Sequence, residues 1–162
     1  MENFQISHSA LFKDRNLSEN PLIITSNQAE ETFSLGAKLS LLLKQGSIVA
    51  LNGPLGAGKT CFVKGIMSGL GIKEEITSPT YTIISEYEAD ISGKTIPVFH
   101  IDAFRLNGQD DFAAIGGEEL IYGNGISIIE WADRIFNSFP GDFFKVNIEI
   151  TGDNERLIRV FM

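Results

Sequence analysis

The chain has 162 residues, 43% hydrophobic and 21% charged, which suits one globular domain whose core needs no staples. A net charge of −8, with 13 basic residues scattered along the chain, argues against unaided tight binding to a nucleic-acid backbone, which needs clustered Lys and Arg. The single cysteine, Cys61, excludes an intrachain disulfide and a cysteine-rich zinc site, and fits a reducing compartment.

The opening "MENFQISHSALFKDRNLSENP" has neither a basic n-region nor an apolar h-region, so a secretory signal is not expected. Nowhere do 18 apolar residues run together, so neither a transmembrane helix nor a membrane partner is expected and the chain reads as cytoplasmic. Residues 1–21 are polar and aperiodic, an N-terminal extension expected to be partly disordered, and residues 22–162 read as a single domain. Leu22 to Thr25 suit a short strand. "SNQAEETFSLGAKLSLLLKQG" then predicts a helix capped by Ser26 or Asn27, with Asn27 and Glu30 as a capping-box-like pair and Gly46 as its stop. Its expected apolar face is Ala29, Phe33, Leu39, Leu42 and Leu43.

"SIVAL" (Ser47 to Leu51) reads as a buried strand. After a glycine-rich loop, Phe62, Val63, Ile66, Met67 and Leu70 recur at helical spacing up to Gly71. "YTIISEYEAD" and "TIPVFHIDAF" read as two strands joined by "DISGK". "GQDDFAAIGGEEL" predicts a short, glycine-interrupted helical region. "GISIIEW" reads as a buried strand, "ADRIFNSF" as a short helix stopped by Pro140, and "FKVNIEITGDNERLIRVF" as a terminal hairpin around "TGDN". Alternation early and strand pairing late predict a three-layer α/β domain with a mixed, largely parallel sheet and a C-terminal antiparallel hairpin.

The loop carries the strongest functional signal. Gly53-Pro54-Leu55-Gly56-Ala57-Gly58-Lys59-Thr60 satisfies G-x-x-x-x-G-K-[ST] in full, against a chance expectation of roughly 0.01 in a chain of this length. Glycines let successive N–H groups turn inward onto phosphate oxygens, and the following helix adds its positive end. Lys59 can reach the β- and γ-phosphates, the Thr60 hydroxyl can ligate Mg²⁺, and the Cys61 backbone N–H can meet the α-phosphate. The spacing therefore predicts a P-loop nucleotide site lined by Gly53, Leu55, Gly56, Ala57, Gly58, Lys59, Thr60 and Cys61, and a P-loop NTPase fold for residues 22–162.

A P-loop site also needs an acid beside magnesium and a group that orients water. Asp102 after "VFHI" and Glu130 after "ISII" stand at the ends of apolar runs, where a carboxylate is costly without a cation; spacing does not divide the two roles between them. "ITSPTYTII" offers the hydroxyls of Thr77, Ser78, Thr80 and Thr82 where switch loops sit in related folds, or else simply caps a turn. Trp131 beside Glu130 reads as core or as a shield of the phosphate region, and His100 as a satisfied core histidine. Arg105, Arg134, Arg156 and Arg159 are candidate phosphate or base contacts.

"LNGPLGAGKT", "TSPTYTII", "FHIDAFRL" and "IIEWADR", in that order and spacing, closely resemble the bacterial TsaE family of tRNA threonylcarbamoyladenosine biosynthesis ATPases, from about Leu22 to the C-terminus. The resemblance implies a small ATPase that acts with TsaD and TsaB in threonylcarbamoyl modification of adenosine 37 in tRNAs reading ANN codons. It implies that ATP is slowly hydrolysed for repeated cycles, while group transfer belongs to TsaD and tRNA is held mainly through the complex. By matching motif, Lys59 contacts phosphates, Thr60 and Glu130 serve Mg²⁺, Asp102 is required for turnover, and Arg156 lies near the nucleotide. The extension is longer than the family usually carries, Cys61 stands where threonine is common, and "GQDDFAAIGGEEL" is less acidic than its counterpart.

Two other readings share the cradle. A small-molecule P-loop kinase would close an arginine-bearing lid over its substrate, and the chain's few arginines include no paired segment. A nucleotide-sensing assembly module would hydrolyse only incidentally. A GTPase needs an N-K-x-D guanine reader, which is missing from the sequence.

Overall fold

A computed structural model describes residues 17, 20–77, 82–135 and 139–162. The expected extension lies outside these apart from Leu17, Asn20 and Pro21, as do the S-P-T-Y of "TSPTYTII" and the F-N-S before Phe139. Leu17 is buried in the main core.

Seven strands form one sheet: β1 (Leu22–Ser26), β2 (Ile48–Asn52), β3 (Ile84–Ile91), β4 (Lys94–Asp102), β5 (Ile126–Glu130), β6 (Phe144–Ile150) and β7 (Arg156–Phe161). Their spatial order is β1-β7-β6-β2-β5-β4-β3. The centre is parallel, β6 with β2, β2 with β5 and β5 with β4, and the flanking pairs are antiparallel. The mixed sheet and the terminal hairpin are as the alternation of elements predicts. Strands β2 and β5 are apolar almost throughout because both faces are covered. Val49, Leu51, Ile126 and Ile128 meet the helices α1 (Ala29–Leu39) and α2 (Lys59–Gly69). Ile48, Ala50 and Ile129 lie in a second core with Phe112 of α3 (Gln109–Ala114) and Ile121 of α4 (Gly117–Ile121). The hairpin from β3 to β4 turns on Ser92 and Gly93, both at positive φ, the two-residue geometry that matches strand twist.

Helix α2 ends as its sequence demands. Gly71 takes φ 79°, its N–H donates to the Ser68 carbonyl, and the Ile72 N–H donates to the Met67 carbonyl, a Schellman close.

Helix α1 departs from expectation in three ways. Its cap is Gln28, without a side-chain cap bond, and Glu31 rather than Glu30 reaches back to the Asn27 N–H at 2.6 Å. Starting at Ala29 makes Glu31 the third helical residue, the position from which a carboxylate can turn back. The helix stops at Leu39, and Ser40–Leu42 form a 3-10 turn well short of Gly46. The buried face is Thr32, Leu35, Gly36, Lys38 and Leu39, while Phe33 and Leu42 are exposed.

Two glycines set that face. A Cβ on Gly36 would lie 2.2 Å from the Phe62 carbonyl oxygen, and one on Gly65 would lie 2.0 Å from the Phe33 oxygen. The backbones of α1 and α2 touch there, so neither position admits a side chain. The expected helix over "ADRIFNSF" is shorter in the described residues, a 3-10 turn at Ala132–Arg134 that ends where Ile135 leaves helical geometry at φ −133°.

Gly65→Ala is expected to lower unfolding free energy by about 1–3 kcal/mol through overpacking, read as a lower urea midpoint. Leu41→Ala, at a side chain 64% exposed, should stay within about 0.5 kcal/mol of the parent.

Candidate functional site

Strand β2 delivers the chain to the loop, and the loop's shape follows from its glycines. Gly56 and Gly58 adopt φ of 78° and 100°, conformations that side chains resist. Gly53 sits so close to β6 that a Cβ would meet the Ile148 carbonyl oxygen at 2.5 Å. Lys59, Thr60 and Cys61 open α2, where backbone N–H groups lack partners within the helix and its positive end is presented.

A cavity of about 410 Å³ lies over this turn, lined by Leu55, Gly56, Gly58, Lys59, Thr60, Cys61, Asp102, Phe104, Glu130 and Trp131. Most of the residues expected at the site thus meet at the ends of β2, β4 and β5. Asp102 and Glu130 are direct partners in the register of β4 and β5. Gly53 lies beneath the loop, and Ala57 is fully buried.

Glu130 is only 3% exposed. Thr60 Oγ1 donates to its Oε1 at 3.0 Å, with Oε2 at 3.2 Å, and His100 Nε2 lies 2.8 Å from Oε1. With Glu130 ionised, the imidazole N–H donates there, since an ionised carboxylate only accepts. His100 is fully buried but not fully satisfied: its Nδ1 has no partner among the described residues. The reading of His100 as a satisfied core histidine is corrected accordingly. The missed signal was its spacing from Asp102, because residues i and i+2 of a strand share a face.

Lys59 Nζ donates to the carbonyls of Gly53 at 2.7 Å and Pro54 at 2.9 Å, and lies 3.9 Å from the centroid of the Trp131 ring. Burial holds its pKa below the usual lysine value, with Glu130, Asp102 and Asp133 pulling it back up. Trp131 is held at φ 57° and ψ 38°, strain of about 1–3 kcal/mol for a non-glycine residue. The Asn52 side-chain oxygen Oδ1 accepts the Asp133 N–H at 2.8 Å, pinning the turn that follows Trp131 to the end of β2. Phe104, not singled out from the sequence, packs against Trp131 with centroids 4.9 Å apart. Cys61 donates through Sγ to the Ala29 carbonyl, and burial raises its pKa; nothing about it suggests thiol chemistry.

Arg156 stands apart from this cavity. Its Nε and Nη2 donate to the carbonyls of Ala57 and Gly56, both at 3.1 Å, and Nη1 to those of Glu155 and Gly152 at 2.8 and 3.1 Å. The guanidinium braces the outer wall of the loop and lines a neighbouring cavity of about 220 Å³ with Gln28, Thr32 and Asn154. Of the "TSPTYTII" hydroxyls, Thr77 and Thr82 are exposed and the others lie outside the described residues.

The donors that converge are all oxygen, namely the Thr60 hydroxyl and the Glu130 and Asp102 carboxylates, which suits a hard cation such as Mg²⁺. Among the described residues no group of three or more His, Cys, Asp or Glu could hold a metal. An ion here would take its remaining ligands from phosphate and water, as Mg²⁺ commonly does.

Residues 26–158 match the model of the family described as threonylcarbamoyl adenosine biosynthesis protein TsaE. The tRNA threonylcarbamoyladenosine biosynthesis protein TsaE of Treponema pallidum is 41% identical, over 83% of this chain and 96% of its own. The Bacillus subtilis protein of the same name is 37% identical, over 80% and 78%. The crystal structure of Bacillus subtilis YdiB superposes with a TM-score of 0.69 at 34% identity, covering 86% of this chain and 84% of that one.

Arg156→Met removes the brace and is expected to cost about 1.5–3 kcal/mol of stability, the scale for hydrogen bonds from a charged group. Chemical denaturation checks it. Arg156→Lys should recover little, since an ammonium lacks the planar fork.

Proposed function

The chain belongs to the TsaE family of threonylcarbamoyl adenosine biosynthesis proteins, and from that premise we propose that it binds and slowly hydrolyses Mg-ATP as an accessory subunit of the machinery, acting with TsaD and TsaB on tRNA adenosine 37. The observation that carries the reading is the meeting of Lys59, Thr60, Asp102 and Glu130 in one cavity over a glycine loop and a helix N-terminus.

In this reading the loop and first-turn N–H groups bind the phosphates, and Lys59 exchanges its contacts with the Gly53 and Pro54 carbonyls for phosphate oxygens. Thr60 and Glu130 would hold Mg²⁺; their present separation of 3.0 Å puts hydroxyl and carboxylate where one ion could take both. The bound ion supplies charge neutralisation at the phosphate oxygens. Asp102, beside Glu130, accepts a hydrogen bond from the attacking water and orients it. No side-chain nucleophile is invoked. Leu55 at 86% and Phe104 at 49% exposure form an apolar rim at the mouth, which supports closure by a partner protein and weak turnover alone.

Phosphate release by the parent, Lys59→Ala and Glu130→Ala, with and without TsaD and TsaB, tests this. Glu130→Ala should cut turnover at least about 100-fold, the several kcal/mol that a bound ion supplies, and Lys59→Ala should weaken ATP binding about 10–100-fold, the equivalent of about 1.4–2.8 kcal/mol. Undiminished turnover in both would refute the assignment. The charge of −8 further predicts no tight complex between the isolated chain and tRNA at physiological salt, measurable by filter binding.

A further inference from the structure

Beyond the residues that would touch nucleotide or ion, we propose that His100 is a positioning residue that fixes the Glu130 carboxylate for its cation. The inference rests on the nucleotide reading above.

His100 and Asp102 share one face of β4, and β5 sets Ile128 opposite His100 and Glu130 opposite Asp102. The imidazole is therefore diagonal to Glu130, within reach for long side chains, and spans that diagonal at 2.8 Å. Thr60 shares Oε1 with the imidazole and also reaches Oε2, so the carboxylate is gripped from α2 and from β4. Thr60 would be drawn into the cation shell, whereas His100, fully buried beneath the carboxylate, keeps its bond and fixes the direction in which the remaining lone pairs point. Outer-sphere partners of this kind orient metal-binding side chains.

A purely structural role explains the residue poorly. The ring buries a polar Nδ1 with no partner among the described residues, a cost that an apolar side chain of similar size would avoid. What the histidine adds is one directional N–H, and that N–H is aimed at Glu130.

The test compares the parent full-length chain with His100→Leu, which lacks the donor, and His100→Gln, whose amide can restore it. Trp131 is the only tryptophan and lines the cavity, so its emission follows Mg²⁺ titrated at saturating ATP without reference to activity. His100→Leu should raise the Mg²⁺ midpoint and lower turnover by about 10–100-fold. Its affinity for ATP in excess chelator should stay near the parental value. His100→Gln should recover most of the loss.

An unchanged Mg²⁺ midpoint and turnover in His100→Leu, or no recovery in a folded His100→Gln, overturns the proposal. Should His100→Leu fail to fold, His100→Asn, too short to reach the carboxylate, must show the deficit that Gln does not; equal behaviour overturns it. A parent chain whose emission does not respond to Mg²⁺ and ATP sinks the nucleotide reading and this inference together.

Discussion

A carboxylate buried at the end of an apolar strand cannot stand alone, and Glu130 organises the site because of that. At 3% exposure it carries a desolvation cost that only hydrogen bonds or a cation can offset. Its hydrogen-bond partners come from different elements, Thr60 from α2 and His100 from β4. Satisfying one side chain therefore fixes where the helix N-terminus and the neighbouring strand stand relative to β5. The glycine loop, which joins β2 to α2, is constrained as a consequence.

The same register is held along the body of α2. Backbone contact with α1 at Gly36 and Gly65 resists sliding of the helix, since a shift would drive side chains of the neighbouring residues against the facing carbonyls. Arg156 secures the loop from outside through the carbonyls of Gly56 and Ala57. These bonds occupy the Gly56 and Ala57 carbonyls with the guanidinium, and a phosphate cradle needs a loop's N–H groups rather than its carbonyls turned to the ligand.

One strained residue, Trp131, stands at the mouth. Trp131 keeps a left-handed backbone because Asn52 ties down the following turn and Phe104 packs on its ring. The result is an indole face over Lys59, a cation–π contact that partly compensates the burial of the ammonium. Such strain persists where the surroundings over-determine it, and that is characteristic of binding sites.

Features decided by local chemistry were legible in the chain. The loop from Gly53 to Thr60, the Gly71 helix stop and the Ser92-Gly93 turn each need a backbone conformation that few residues supply, so residue identity announces them. The apolar runs of β2 and β5 show strands covered on both faces and place an acid at the tip of one. Tertiary structure alone decided the buried face of α1, since the approach of Gly36 and Gly65 each to the other helix's backbone, not hydrophobic period, turned the helix. It also decided that Arg156 would meet loop carbonyls 99 and 100 residues away, and that His100 would meet Glu130 across 30 residues. A period of 2 or 3.6 says which way a side chain faces. What waits on that face comes from another part of the chain, and only the packed sheet brings it there.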